Sequence, residues 1–304
     1  MSNDGSDIVE FEFCEFGFDR WNPVQSRCVP FFTQDCNLIL SSSTATGKTA
    51  VAEAVFGYEL SKGADVAYAS PLKAINDEKF RKWSAHPTFS EFPKCVLSSE
   101  NHPEKEALLN SRMVISTVES LAVQCRQNAE WIGSLHALVL DEAHLIGDES
   151  RGGSCEEMLM SFTEINPACR IVLLSGTMAN SREIASWMKS LNGKSRRYVF
   201  SDWRPVELVK NVIALKHFYQ DVEKEVSRLA KSLGEEEKTL VFVHSRKFGE
   251  MLCKGLNKKG IQCGFYHAGL TEKMKRRLVD DFKSEWSGIR LMICTSSLGA
   301  GVDL

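Results

Sequence analysis

From Asn37 onward, short apolar runs alternate with longer amphipathic stretches, and this rhythm limits the fold more than any other feature of the chain. Candidate strands fall at Asn37–Leu40, Val66–Ala69, Cys95–Leu97, Met113–Ser116, Ala137–Leu140 and Ile171–Leu174. Helical periodicity lies between them at Lys48–Leu60, Leu72–Trp83, Val118–Gln127 and Ser181–Leu191. Near-continuous apolar strands are covered on both faces, and strands separated by helices run parallel. The pattern predicts an α/β fold with parallel sheets.

The alternation pauses at Arg196–Lys210 and then resumes. Thr239–Val243, Cys263–Tyr266 and Ile289–Cys294 read as strands, and Asp221–Leu233, Lys247–Asn257 and Glu272–Phe282 as helices. Gly234 and Gly260 are placed to stop helices. With about 150 residues per domain, the 304 residues suit two domains in tandem. The expected division is an acidic N-terminal segment at 1–21, a first domain at 22–205 and a second at 206–304, with a connector near Tyr198–Asn211. The second domain closes on a strand and a Gly-rich loop, and so reads as incomplete.

Charge and cysteine content exclude several classes. The net charge is −3, with −7 on residues 1–205 and +4 on 206–304. Any nucleic-acid contact is therefore a local groove, because the chain as a whole offers no cationic field. Lys273, Lys275, Arg276 and Arg277 read as a solvated helix face. The ten cysteines are scattered with no C-x-x-C pair, which fits reduced thiols better than a zinc site or a disulfide scaffold. No apolar run approaches the roughly 18 residues of a membrane span. Residues 1–15 lack the basic flank and apolar stretch of a secretion signal, so an intracellular location, cytoplasm or nucleus, is expected.

Two places carry chemistry. Leu38-Ile39-Leu40 leads into Ser42-Ser43-Thr44-Ala45-Thr46-Gly47-Lys48-Thr49 and then a helix, which matches G-x-x-x-x-G-K-[ST] except that Ser42 replaces the first glycine. In such a loop Ser43, Thr44, Ala45, Thr46 and Gly47 bring backbone N–H groups to phosphate, Lys48 reaches the β- and γ-phosphates, and the Thr49 hydroxyl ligates Mg²⁺. Asp141-Glu142-Ala143-His144 follows the apolar run ending at Leu140. Carboxylates there face the ligand crevice of a parallel sheet. Asp141 suits the metal, and Glu142 suits the attacking water. A small-molecule kinase would share the phosphate loop but leaves the second α/β domain unexplained.

These motifs, in this order, resemble a superfamily-two DExH-box nucleic-acid helicase, most closely the Ski-like subgroup, over about Asn22 to Leu304. Gln25 in Asn22-Pro23-Val24-Gln25 stands where the family has its Q motif, which implies adenine recognition. Pro71-Leu72-Lys73-Ala74 is similar to motif Ia, and Thr117-Val118-Glu119-Ser120 to motif Ib. Leu145-Ile146-Gly147-Asp148 and then Arg151-Gly152 follow the Asp-Glu-Ala-His as in Ski-like enzymes. Ser175-Gly176-Thr177 stands in the place of Ser-Ala-Thr. The resemblance implies that Ser175 and Thr177, with His144, couple hydrolysis to domain movement. Trp203-Arg204-Pro205-Val206 marks the crossing into the second domain. Val241-Phe242-Val243-His244-Ser245-Arg246 is similar to motif IV, and Thr295 to Asp303 to motif V.

The resemblance implies two tandem RecA-like P-loop domains, ATP and Mg²⁺ as cofactors, and single-stranded or partly duplex DNA or RNA as partner. It implies strand contacts at Pro71, Lys73, Thr117, Glu119, His244, Ser245, Arg246 and Thr295, and nucleotide contacts at Gly301 and Asp303. Contacts aimed at the strand's backbone suit a chain without a basic surplus. Motif VI does not follow motif V within the 304 residues, so a partner or continuation supplying it is expected. The alternative is a nucleotide- and strand-binding fragment with little turnover.

Overall fold

The computed structural model describes residues 11–149, 152–176, 178, 180–234, 237–284, 287, 289–295 and 298. The chain parts after Leu208 into two compact units.

The first unit repeats strand and helix. After the short helix α1 (Pro23–Ser26) come β1 (Asn37–Ser42), α2 (Lys48–Ser61), β2 (Asp65–Ser70), α3 (Lys73–Ser84) and β3 (Lys94–Leu97). There follow α4 (Lys105–Leu109), β4 (Met113–Thr117), α5 (Val118–Arg126), β5 (Leu135–Leu140), α6 (Gly152–Ile165), β6 (Arg170–Ser175), α7 (Ser181–Asn192) and β7 (Arg196–Ser201). The strands form one seven-stranded sheet in the order β3-β4-β2-β5-β6-β1-β7. Every pairing is parallel.

Both faces of the sheet are covered, which is why its central strands are apolar at successive positions. Leu38 and Leu40 pack with Val51, Val55 and Phe56 of α2 on one face. Ile39, between them, joins Leu121, Met158 and Phe162 on the other. Successive side chains of a strand alternate in this way. Each such buried side chain contributes about 1.5–3 kcal/mol. Trp83, Trp131 and Trp187 belong to these two cores, as the sequence suggests.

Three features differ from the sequence reading. Residues 196–201 are an edge strand, β7, and not the start of a connector: they pair with β1 along its whole length. Its apolar run, Tyr198-Val199-Phe200, follows two exposed arginines and buries only Val199, so it lacks the continuous burial of the central strands. The second is α6, which the reading does not name, although Cys155, Met158, Leu159 and Phe162 are buried at helical spacing. The third is the N-terminal segment, whose acids distract from its aromatics. Phe11, Phe16, Phe18 and Trp21 pack against the same core as α2.

The second unit contains α8 (Phe218–Ser232), β8 (Thr239–Phe242), α9 (Arg246–Lys258), β9 (Cys263–Tyr266), α10 (Glu272–Lys283) and β10 (Leu291–Cys294). Its sheet has the order β8-β10-β9, all parallel. Leu291 and Ile293 face α9, while Met292 and Cys294 pack with Phe282 of α10. Among the described residues no helix is long and apolar enough to cross a membrane.

Candidate active site

In an open α/β sheet the ligand crevice lies beyond the carboxyl ends of the strands, where the strand order reverses. From β1 the chain crosses to β2 on the far side of β6 and β5, whereas β7 lies on the other flank of β1. The reversal therefore falls at β1. The loop that follows β1 is residues 43–47.

That loop needs unusual backbone. Gly47 has φ +73°, and Ala45 also adopts a left-handed conformation at φ +59°. Inside the turn, the Ser42 and Thr46 hydroxyls lie 2.8 Å apart, and Thr46 Oγ1 donates to the Ser43 carbonyl at 2.9 Å. Lys48 Nζ curls back to donate to the carbonyls of Ser42 (3.2 Å) and Ser43 (2.9 Å). Burial pushes the Lys48 ammonium below the ordinary lysine range, against the pull of the Glu142 and Asp141 carboxylates.

Helix α1 holds the loop from outside. Asn22 caps α1 by accepting from the N–H groups of Val24 and Gln25, each at 3.0 Å. Its Nδ2 also donates to the Thr46 carbonyl at 2.9 Å. Gln25 accepts from the Asn22 N–H at 3.0 Å and donates to the Gly47 carbonyl at 3.2 Å. A four-residue helix has no stability of its own, so this reciprocal cap makes it a bracket for the phosphate loop. Gln25 thus stands at the loop, with both ends of its amide engaged. An open cleft of about 730 Å³ adjoins it, with Phe16, Phe18, Gln25, Gly47, Thr49 and Lys82 in its wall.

A β-carbon on residue 47 would lie 2.3 Å from Gln25 Nε2. Gly47→Ala therefore meets two obstacles, the steric clash and a left-handed alanine that costs about 1–2 kcal/mol. Its expected effect is at least about a tenfold loss of nucleotide affinity, read by titration with a fluorescent ATP analogue. Wild-type affinity in this variant would show that the loop tolerates another course.

The carboxylates stand at the end of β5. The Asp141 N–H donates to the Ala69 carbonyl at 2.8 Å, which continues the β2–β5 pairing by one residue. Its side chain is held twice: Oδ1 accepts from the Glu142 N–H at 2.9 Å, and Oδ2 accepts from the Tyr68 hydroxyl. Tyr68 is 1% exposed. Burial, then the Asp141 charge, keep its phenol well above the ordinary tyrosine range, so it stays protonated and can donate to Asp141. Glu142 has φ +53°, a left-handed conformation unfavourable for any residue with a β-carbon. Burial and the neighbouring Asp141 raise its carboxyl above the usual range, opposed by His144 and Lys48. His144 Nδ1 lies 3.2 Å from Glu142 Oε2.

Hard oxygen donors suit Mg²⁺, which takes one or two protein ligands and keeps several waters. Thr49 and Asp141 supply such donors. Thr49 Oγ1 accepts from Lys79 Nζ at 3.1 Å. Lys79 comes from α3 and is 9% exposed. Tyr68 and Lys79 are the site residues that the motifs do not include, and Asn22, inside the Gln25 run, gains a part in holding the loop.

The model of the DEAD/DEAH box helicase family matches residues 22–184, which contain every group just described except the cleft-lining Phe16 and Phe18. The chain belongs to the DEAD/DEAH box helicase family. The helicase conserved C-terminal domain matches residues 221–304. This helicase-family chain is similar to the ATP-dependent DNA helicase Hel308 of Methanococcus vannielii, at 28% identity over 95% of this chain and 45% of that protein. It is 32% identical to Hel308 of Thermococcus kodakarensis, over 81% of this chain and 22% of that protein. It therefore spans less than half the length of these curated relatives. Among solved structures it is similar to the Mycobacterium smegmatis helicase Lhr bound to ssDNA and AMP-PNP, with a TM-score of 0.65 and 23% identity over 92% of this chain and 40% of that one. Saccharomyces cerevisiae Dbp5 bound to RNA and ADP BeF3 gives a TM-score of 0.65 and 19% identity over 94% of this chain and 73% of that one. These likenesses show the fold: two RecA-like domains in tandem.

The other motif residues of this helicase-family chain also lie at carboxyl ends of strands. Pro71 and Lys73 follow β2, and the Lys73 ammonium pairs with Glu100. Thr117 ends β4 and caps α5, accepting from the Ser120 N–H at 3.3 Å, with Glu119 exposed in the first turn. β4 and β2 occupy one half of the sheet and β1 and β6 the other, with β5 between them. Ser175 ends β6; its hydroxyl is buried without a hydrogen-bond partner among the described residues. His144 pairs with Glu142, and no hydrogen bond joins it to the Ser175 hydroxyl among the described residues. In the second unit, His244, Ser245 and Arg246 follow β8. His244 stacks on Phe248, Ser245 caps α9, and Arg246 pairs with Glu250 at 2.9 Å. Thr295 follows β10, and its N–H donates to the Tyr266 carbonyl at 3.1 Å. Arg151, Thr177, Gly301 and Asp303 lie outside the described residues.

Proposed function

We propose that this chain is the motor of a superfamily-two, Ski-like helicase that couples Mg²⁺-dependent ATP hydrolysis to movement along a single nucleic-acid strand and to duplex unwinding. The observation that carries this reading is the pair Asp141 and Glu142, held at the end of β5 in the same parallel sheet whose β1 leads into the Lys48 loop. In this reading Ser43 to Gly47 wrap the phosphates with backbone N–H groups, and Lys48 leaves its two loop carbonyls for the β- and γ-phosphates. Gln25 and Asn22 fix the loop, and Gln25 also meets the adenine. Thr49 and Asp141 hold Mg²⁺, which when bound neutralises charge on the phosphates. Tyr68 keeps Asp141 aimed at that place. Glu142 accepts the proton of the attacking water.

Pro71, Lys73, Thr117 and Glu119, on the half of the sheet away from the loop, are assigned to the strand. His244, Ser245, Arg246 and Thr295 are assigned the same role from the second unit. His144, Ser175 and Thr177 relay the state of the nucleotide. DNA is the proposed strand, because the two Hel308 relatives compared above are DNA helicases by name. The test is steady-state ATP hydrolysis with single-stranded DNA or RNA of equal length. DNA is expected to raise the rate more than RNA. Equal stimulation would remove the DNA assignment. Nucleotide binding without strand-stimulated hydrolysis would favour the binding-only alternative.

A further inference from the structure

Most of the ten thiols are inert small hydrophobes. Burial pushes Cys14, Cys28 and Cys125 up to about 12, and Cys169 higher still. Cys253 and Cys263 are different. Cys253 lies midway along α9, and Cys263 opens β9. Gly260, at φ +76°, lets the chain turn back so that strand and helix lie together. The two sulfurs are 3.3 Å apart, and each lies 3.6 Å from the other residue's carbonyl oxygen. Asn257 reinforces the arrangement from both sides. Its Nδ2 donates to Cys253 Sγ at 3.4 Å, and its Oδ1 accepts from the Cys263 N–H at 3.4 Å. Both residues are partly exposed, so a small oxidant reaches them.

We propose that Cys253 and Cys263 form a two-thiol oxidation site that hydrogen peroxide converts into an intramolecular disulfide. The surroundings assign different parts to the two sulfurs. Donation from the Cys263 S–H and the Asn257 amide brings the Cys253 thiol down to about 7, whereas the same hydrogen bond raises Cys263. Asn257 donates to the Cys253 sulfur and not to that of Cys263, which marks Cys253 as the nucleophile and Cys263 as the resolving thiol.

The steps balance. The Cys253 thiolate attacks one peroxide oxygen, forming an S–O bond as the O–O bond breaks, and the departing hydroxide takes up a proton to become water. Cys253 is now a sulfenic acid. Cys263 then loses its proton to water and attacks the Cys253 sulfur. The S–S bond forms, the S–O bond breaks, and the second oxygen leaves as hydroxide, which is protonated to water. Two thiols lose two electrons in all, and one peroxide becomes two waters. Because no proposed nucleotide or strand residue takes part, the site stands independently of the helicase assignment.

The test is peptide mapping by mass spectrometry without reduction, after the whole chain has been treated with hydrogen peroxide at neutral pH and its remaining thiols alkylated. The expected result is a cross-linked species carrying Cys253 and Cys263 that a reductant reverses. In Cys263→Ser, a sulfenic-acid trapping reagent should label Cys253. In Cys253→Ser, labelling at Cys263 should be slower by about tenfold or more. Full alkylation of both thiols after peroxide, cross-links from Cys253 to another cysteine, or faster labelling of Cys263 would each overturn the proposal.

Discussion

Replacing Glu142 by glutamine is expected to leave Mg²⁺–ATP binding intact and to slow hydrolysis by about 10²–10⁴-fold. The amide has the shape of the carboxylate, and the Glu142 N–H that supports Asp141 belongs to the backbone, so the metal side of the site is untouched. What disappears is the capacity to take a proton from water. Nucleotide titration and single-turnover hydrolysis on the same preparation separate the two effects. Wild-type turnover would mean that another group activates the water. A parallel loss of binding would mean that Glu142 is structural.

Lys48→Ala should act on both steps. It removes a half-buried ammonium whose present partners are the loop's own carbonyls. Water entering the space the side chain vacates can satisfy those carbonyls, so the loop keeps its course and the fold survives. The charge that would meet the phosphates is lost, in the ground state and more so as charge develops in transfer. Turnover is expected to fall by about 10²–10³-fold, the scale of one preorganised donor lost at a reacting centre, with weaker nucleotide binding alongside. Steady-state hydrolysis and a binding isotherm read these outcomes. Unchanged values for both would remove Lys48 from the site.

The fold was legible because its driving force is periodic. Strands such as 38–40 and 171–174 are apolar on both faces, and only a sheet covered on both sides explains that. β7 was hidden because an edge strand with one buried side chain carries no such signature. The phosphate loop and the carboxylates were legible because their chemistry is local: a handful of consecutive residues serve one ligand. Tyr68 was not. It sits in an apolar run and reads as core, and only the pairing of β2 with β5 carries its hydroxyl to Asp141. Lys79 reads as one more charge in Asp77-Glu78-Lys79, and becomes notable only where α3 packs it against Thr49. Residues whose part depends on neighbours far along the chain leave no pattern in sequence.

The left-handed backbone at Glu142 bears on attempts to engineer this chain. Glycine or asparagine adopts that conformation more readily than glutamate, by about 1–2 kcal/mol for glycine. A screen that ranks variants by melting temperature will therefore favour replacing Glu142, and its best-scoring proteins will lack the proposed water-activating group. Heat resistance and turnover pull this position in opposite directions. Selection for thermal stability in this chain needs ATP hydrolysis as a second criterion from the first round.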